Sequence, residues 1–195
     1  MAQPIVDPEV LALAAISATL QAEYAAEELA WTGSPFAWIK SRPSRTIGAI
    51  GERLVAGWLA AKGFDIAKSP DSDADRLVNG HRTEIKFSTL WKTGIYKFQQ
   101  LRDQNYAFAI CLGISPFDAH CWVLPKAELL SRWKESVREG KEIEGIQPQH
   151  GGSDGRDTAW LSIDPAAPPS WLSNHGGRLA VASSFLSRRA RRRFS

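Results

Sequence analysis

Hydrophobic positions recur along this chain with two different periods, and the switches between them mark its elements. Over residues 5–31, Leu11, Ala14, Ala15, Ala18 and Ala22 return at helical spacing, which predicts a long first helix. WTGSPFAWIKSRPSR follows as a connector punctuated by Gly and Pro. In TIGAIGERLVAGWLAAKGF, Ile47, Ile50, Leu54, Val55 and Trp58 form one apolar face, with Thr46 as the expected cap and Gly63 as the stop.

The period then drops to two. FDIAKSP reads as a short strand, and DRLVNGHRTEIKFS as a hairpin turning at Asn79-Gly80, a pair that tolerates positive φ. On its second strand Ile85 and Phe87 share one face, and Glu84 and Lys86 share the other. Pairing of the two strands would fold Asp75 back towards Glu84 and Lys86. Residues 89–97 read as a connector and YKFQQLRDQ as a short helix. YAFAICLGI is an unbroken apolar run, the mark of a buried central strand. AHCWVLP predicts another strand and KAELLSRWKESVREG a further helix. From Glu142 onward Gly, Pro, Ser and Asp dominate, with one short strand, DTAWLSI, embedded. The order gives an α/β or α+β class with a mixed sheet. It divides into an N-terminal helical extension (1–43), a core (44–141), a loop-rich accessory segment (142–187) and a basic tail (188–195).

Composition narrows this picture. With 195 residues, 44% hydrophobic and 23% charged, the chain can bury a globular core. Its apolar stretches are interrupted short of a membrane span. The apolar stretch near the N-terminus is preceded by Asp7 and Glu9 and lacks a positive leader region, so it does not read as a secretory signal, and a cytoplasmic location is the default expectation. Cys111 and Cys121 fall in strand-like runs and are read as buried free thiols. His81, His120 and His175 have no spacing partner that would suggest zinc. The net charge of +3 belongs to the tail SRRARRRFS: removing its five arginines leaves −2.

The chemistry concentrates on the hairpin. Two carboxylates, Asp75 and Glu84, on adjacent strands make a hard-oxygen site of the kind Mg²⁺ uses. Lys86 beside them is a compact cation able to stabilise charge on a phosphate. Glu52 on the preceding helix could complete the set, since Gly48 and Ala56 one turn either side would let that stripe lie close to a sheet. An E-x-K triplet alone is commonly a surface ion pair of little worth. The order here, a helical Glu, an Asp, a hairpin turn and E-I-K between apolar neighbours, points to phosphodiester hydrolysis.

Those segments, GAIGERLVAGWLAAKGF, the Asp before NGHRTEIKFS, a Gln-bearing helix and the strand YAFAICLG, resemble the PD-(D/E)xK nuclease superfamily over residues 44–126. The resemblance implies a restriction-endonuclease-like αβββαβ core with a mixed central sheet flanked by helices. It implies Asp75 and Glu84 as ligands of Mg²⁺ (or Mn²⁺ as substitute), with Lys86 catalytic. Glu52 would be the acid of the first core helix and Gln100 the polar residue of the following one, with Gln99 and Gln104 as rivals. No Pro-Asp pair stands where the family has one; SPDSDAD offers Asp71, Asp73 and Asp75, of which Asp75 opens the hairpin strand. The expected activity is a type II restriction endonuclease cutting double-stranded DNA as a homodimer, without a membrane partner. A repair or Holliday-junction-resolving nuclease and an inactive DNA-binding relative are the alternatives. His150, Ser153 and Arg156 of the late loop, and Arg188 and Arg189 of the tail, are expected to contact DNA.

Overall fold

The computed structural model describes residues 6–151 and 155–179. Three helices come first: α1 (Pro8–Ala30), α2 (Ala37–Lys40) and α3 (Ser44–Ala61). Six strands follow, β1 (Ile66–Lys68), β2 (Arg76–Val78), β3 (His81–Thr89), β4 (Tyr96–Leu101), β5 (Phe108–Ile114) and β6 (Ala119–Pro125). After α4 (Lys126–Glu139) come β7 (Ile146–Gln149), β8 (Thr158–Ile163), a 3-10 turn at Ser170–Asn174 and β9 (Gly176–Arg178). The strands make a six-stranded sheet in the order β1-β2-β3-β5-β6-β9 and a three-stranded sheet in the order β4-β8-β7. In the larger sheet β3 and β5 pair parallel and the other neighbours antiparallel, so the class is mixed α/β.

Strand alternation sorts the larger sheet onto two cores. From β5, Ile110, Leu112 and Ile114 join Val55 and Leu59 of α3 on one side. Ala109 and Cys111 face the other way, where Tyr96, Phe98 and Leu101 of β4, Leu161 and Ile163 of β8, and Leu129 and Trp133 of α4 close over them. The molecule is therefore three-layered: α3, the large sheet, then the small sheet with α4. Two residues without side chains permit the close approaches. A Cβ on Gly51 would collide with Phe87 of β3, and one on Gly113 would stand 2.7 Å from the Tyr96 ring.

Several expected features stand. Asn79 and Gly80 have φ of 47° and 76° between the paired Val78 and His81, the two-residue turn that suits a twisted hairpin. Gly63, at φ 82°, follows the end of α3. Cys111 and Cys121 are buried free thiols, and burial pushes the Cys121 thiol up to about 12. No helix among the described residues is long and apolar enough to cross a membrane.

Others are corrected. YKFQQLRDQ contains β4, not a helix, so a strand of the second sheet stands between β3 and β5 where the αβββαβ order would place a helix. Its glutamines and arginine are good helix formers, but Tyr96, Phe98 and Leu101 are wholly buried against the large sheet, and that packing overrides propensity. The segment from Glu142 onward is more than a loop-rich appendage. It supplies β7 and β8 to the small sheet and β9 to the large one, with Ile146, Leu161 and Ile163 at the core. Thr46 lies inside α3, whose N-cap is Pro43. The glycine that lets α3 approach the sheet is Gly51, since a Cβ on Gly48 would meet open space. Along α1, Val10, Leu13, Ile16 and Leu20 are exposed.

Candidate active site

β2 is much shorter than β3. Its pairing ends at Arg76 opposite Thr83, and beyond that point the edge of β3 lies open towards the cleft. The N–H of Ile85 there has no strand partner, and an unpaired backbone donor is costly to leave. The Asp75 carboxylate takes it: Ile85 N–H donates to Asp75 Oδ2 at 2.6 Å, while Asp75 N–H donates to the Thr83 carbonyl at 3.1 Å. The end of β2 thus fixes Asp75 at the open edge of β3, beside Glu84 and Lys86.

A cleft of about 270 Å³ lies at this edge, lined by Gly48, Glu52, Asp75, Glu84, Lys86 and Gln99 among others. Lys86 Nζ lies 2.8 Å from Glu84 Oε1. Glu84 is buried, and burial raises its pKa above the ordinary glutamate value; Lys86 opposes that shift and Asp75 adds to it. Glu52 reaches the cleft from α3 but is engaged by Arg76 of β2, Nη2 to Oε1 at 2.6 Å.

Among the three aspartates of SPDSDAD, Asp75 lines the cleft. Asp71 is paired with Arg82, whose hydrogen bond holds the Asp71 carboxyl below its usual range. Asp71 also accepts from the Asp73 N–H at 3.0 Å. Gln100 is corrected. Between Phe98 and Leu101 the register of β4 on β8 slips by one residue, and Gln100 sits in that bulge at φ 56°, exposed. Gln99 is the glutamine that lines the cleft. His150 and Arg156 are exposed and do not line it; His150 Nδ1 lies 3.5 Å from Asp157. Ser153, Arg188 and Arg189 lie outside the described residues.

Lys97 is a cleft residue that the sequence reading passed over. Tyr96 and Phe98 are buried, and Lys97 and Gln99 alternate with them, the same period that singled out E-I-K. That signal was present in Y-K-F-Q but was cut short by the bulge.

Two carboxylates with unshared oxygens are the donor set that Mg²⁺ takes when water and substrate phosphate complete its shell. Among the described residues no group of three or more His, Cys, Asp or Glu is gathered as a ready metal cage. Asp75 and Glu84 offer two such carboxylates to a partly hydrated ion shared with substrate, and Glu52, engaged by Arg76 through Oε1, stands at the same cleft.

No family model and no curated protein matches this chain. Among solved structures, the bacterial homing endonuclease I-Ssp6803I is similar over 46% of this chain and 74% of its own. The TM-score is 0.37 and the identity 15%.

Proposed function

We propose that this protein is a Mg²⁺-dependent DNA endonuclease that hydrolyses phosphodiester bonds, and that its form in the cell is a type II restriction enzyme acting on duplex DNA. The observation that carries the reading is the convergence of Asp75, Glu84 and Lys86 at the open edge of β3, inside one cleft. A carboxylate kept out of water, as Glu84 is, ionises at a cost that a bound cation would offset.

Asp75 and Glu84 would hold the ion, and Glu52 would join them on releasing Arg76. Bound there, Mg²⁺ would supply Lewis acidity towards the phosphate and a water of lowered pKa. The chain's own work is positional. The Ile85 N–H orients Asp75. Lys86, with three donors on a compact charge, stabilises the phosphate oxygens as negative charge grows on them. A single centre cuts one strand, so cutting a duplex calls for two copies related by a two-fold axis, and a homodimer is part of the proposal. Molar mass in solution, measured by light scattering, tests that part.

Incubating the purified protein with plasmid and Mg²⁺ tests the activity. Discrete fragments are expected. A smear would mean cutting without sequence recognition, and preference for a branched substrate would favour a repair or junction-resolving role. Binding without cleavage under Mg²⁺ and Mn²⁺ would leave an inactive DNA-binding relative and overturn the enzymatic reading.

A further inference from the structure

Two lysines line the cleft, and their ammonium groups are held in opposite ways. Lys86 is ion-paired with Glu84. Lys97 Nζ instead lies 4.8 Å from the ring centroid of Trp91 and 5.9 Å from that of Trp160. Among the described residues no carboxylate stands within ion-pair distance of it. Indole faces attract a cation without neutralising it. The backbone beneath is fixed as well: the Lys97 N–H donates to Ser88 Oγ of β3 at 3.0 Å, and the neighbouring Tyr96 and Phe98 are fully buried. The small sheet thus offers a preorganised, uncompensated positive charge to a cleft whose other wall carries the proposed centre.

We infer that Lys97 is the residue that grips a backbone phosphate of the nucleic acid in this cleft, a task separate from that of Lys86. The inference rests on the nuclease reading above. A phosphate is the anion that would supply the counter-charge Lys97 lacks, and Gln99, two residues along the same strand face, adds a neutral donor beside it. Trp91 is the platform that sets the direction of the ammonium; it is 43% exposed, so the indole remains reachable from solvent. The competing explanation is that Lys97 only relieves repulsion among the cleft acids, in which case its loss would alter stability and leave DNA binding alone.

The test compares wild type with Lys97→Met, which keeps an unbranched side chain of similar reach and removes the charge. Binding to a short mixed-sequence duplex is measured with Ca²⁺ in place of Mg²⁺ over a range of salt. Affinity should fall on the order of tenfold, the loss of one charged hydrogen bond. The slope of log K against log salt should become shallower by about one. The single-turnover rate at saturating DNA should fall less than it does in Lys86→Ala. Trp91→Leu should weaken binding in the same direction, and Trp91→Phe should restore part of it. Wild-type affinity and an unchanged salt slope in Lys97→Met, with wild type still cutting, would overturn this inference alone. Failure of wild type to bind or cut DNA would overturn the nuclease reading on which it rests.

Discussion

β3 and β4 each send two polar side chains to the cleft from alternate positions, yet the two strands hold them on different terms. On β3, Glu84 and Lys86 are neighbours that cancel each other's charge, in a strand paired to β5 along its length and locked under α3. On β4, Lys97 and Gln99 have no such acid between them, and the strand is broken by a bulge at Gln100 before its last residue. A compensated pair on a strand held along its other edge by β5 is rigid and can stand where bonds are broken. An uncompensated cation on a smaller sheet is suited to holding a substrate that brings its own negative charge. The cleft thus separates two kinds of electrostatics, and each can be removed without the other.

The largest expected effect falls on the β3 side. Asp75→Ala and Glu84→Ala should each abolish Mg²⁺-dependent cleavage while leaving much of the DNA binding, because the proposed function places both on one ion. Asp71→Ala should cut like wild type, since Asp71 belongs to Arg82. Quantified plasmid cleavage by the three variants checks this. Activity retained in Asp75→Ala and lost in Asp71→Ala would move the centre off the hairpin.

Next in size is Lys86. The role proposed for it belongs to the transition state, so Lys86→Ala should lower the single-turnover rate on the order of 10²–10³ with a much smaller effect on affinity. Lys86→Arg should recover part of the rate at best, because a planar fork replaces a point charge. If Lys86→Ala instead loses affinity and keeps its rate at saturation, the two lysines do the same job and the contrast between the strands disappears.

Why the β3 half could be read from the sequence and the β4 half could not is a matter of where the information lies. Asn79-Gly80 fixes the turn locally, the period of two fixes which face Glu84 and Lys86 share, and hairpin pairing then forces Asp75 to the same place. Every step involves residues within the hairpin. β4 is a strand only because Leu161 and Ile163, more than sixty positions later, pair with it, and because the Tyr96 ring fits over Gly113. The Phe98–Leu101 bulge removes the alternation that could have announced it. The same bulge puts Gln99, and not the expected Gln100, in the cleft, and on α3 the close approach to β3 falls at Gly51, which lies off the Gly48–Glu52–Ala56 stripe. One-residue differences of this kind depend on packing partners that helix periodicity does not name.

A third prediction addresses how the two halves are joined. Gly113→Ala would place a methyl group against the Tyr96 ring, and the small sheet must shift to admit it. The expected cost is about 1–3 kcal/mol of stability, as for other overpacked cores. DNA affinity should suffer more than the saturated rate, since β4 moves and β3 does not. Urea unfolding paired with binding and single-turnover measurements checks it. An equal loss in affinity and rate would show that the two sheets position the cleft as one body.

The smallest effect concerns pH and the same junction. His120 of β6 is buried between the sheets, its Nδ1 3.2 Å from the Tyr96 hydroxyl and its ring stacked on Trp122 at 13°. Burial lowers its pKa below the ordinary histidine value; Asp118 pulls the other way, and Arg178, itself paired with Asp118 at 2.6 Å, adds to the lowering. The native state therefore favours neutral imidazole, whereas the unfolded chain takes up a proton near the ordinary value. The stability that follows is whole above that ordinary value and is lost as pH falls through the lower, native one. His120→Gln removes the titration while keeping a polar partner for Tyr96. It should unfold more easily than wild type near neutrality and yet lose less stability on acidification. The other histidines are common to both proteins, so the difference between the two curves belongs to position 120. Urea midpoints followed from just above neutrality down into the acid range would read it. Parallel curves would mean that His120 protonates freely in the fold, and that the seam between the sheets tolerates a charge.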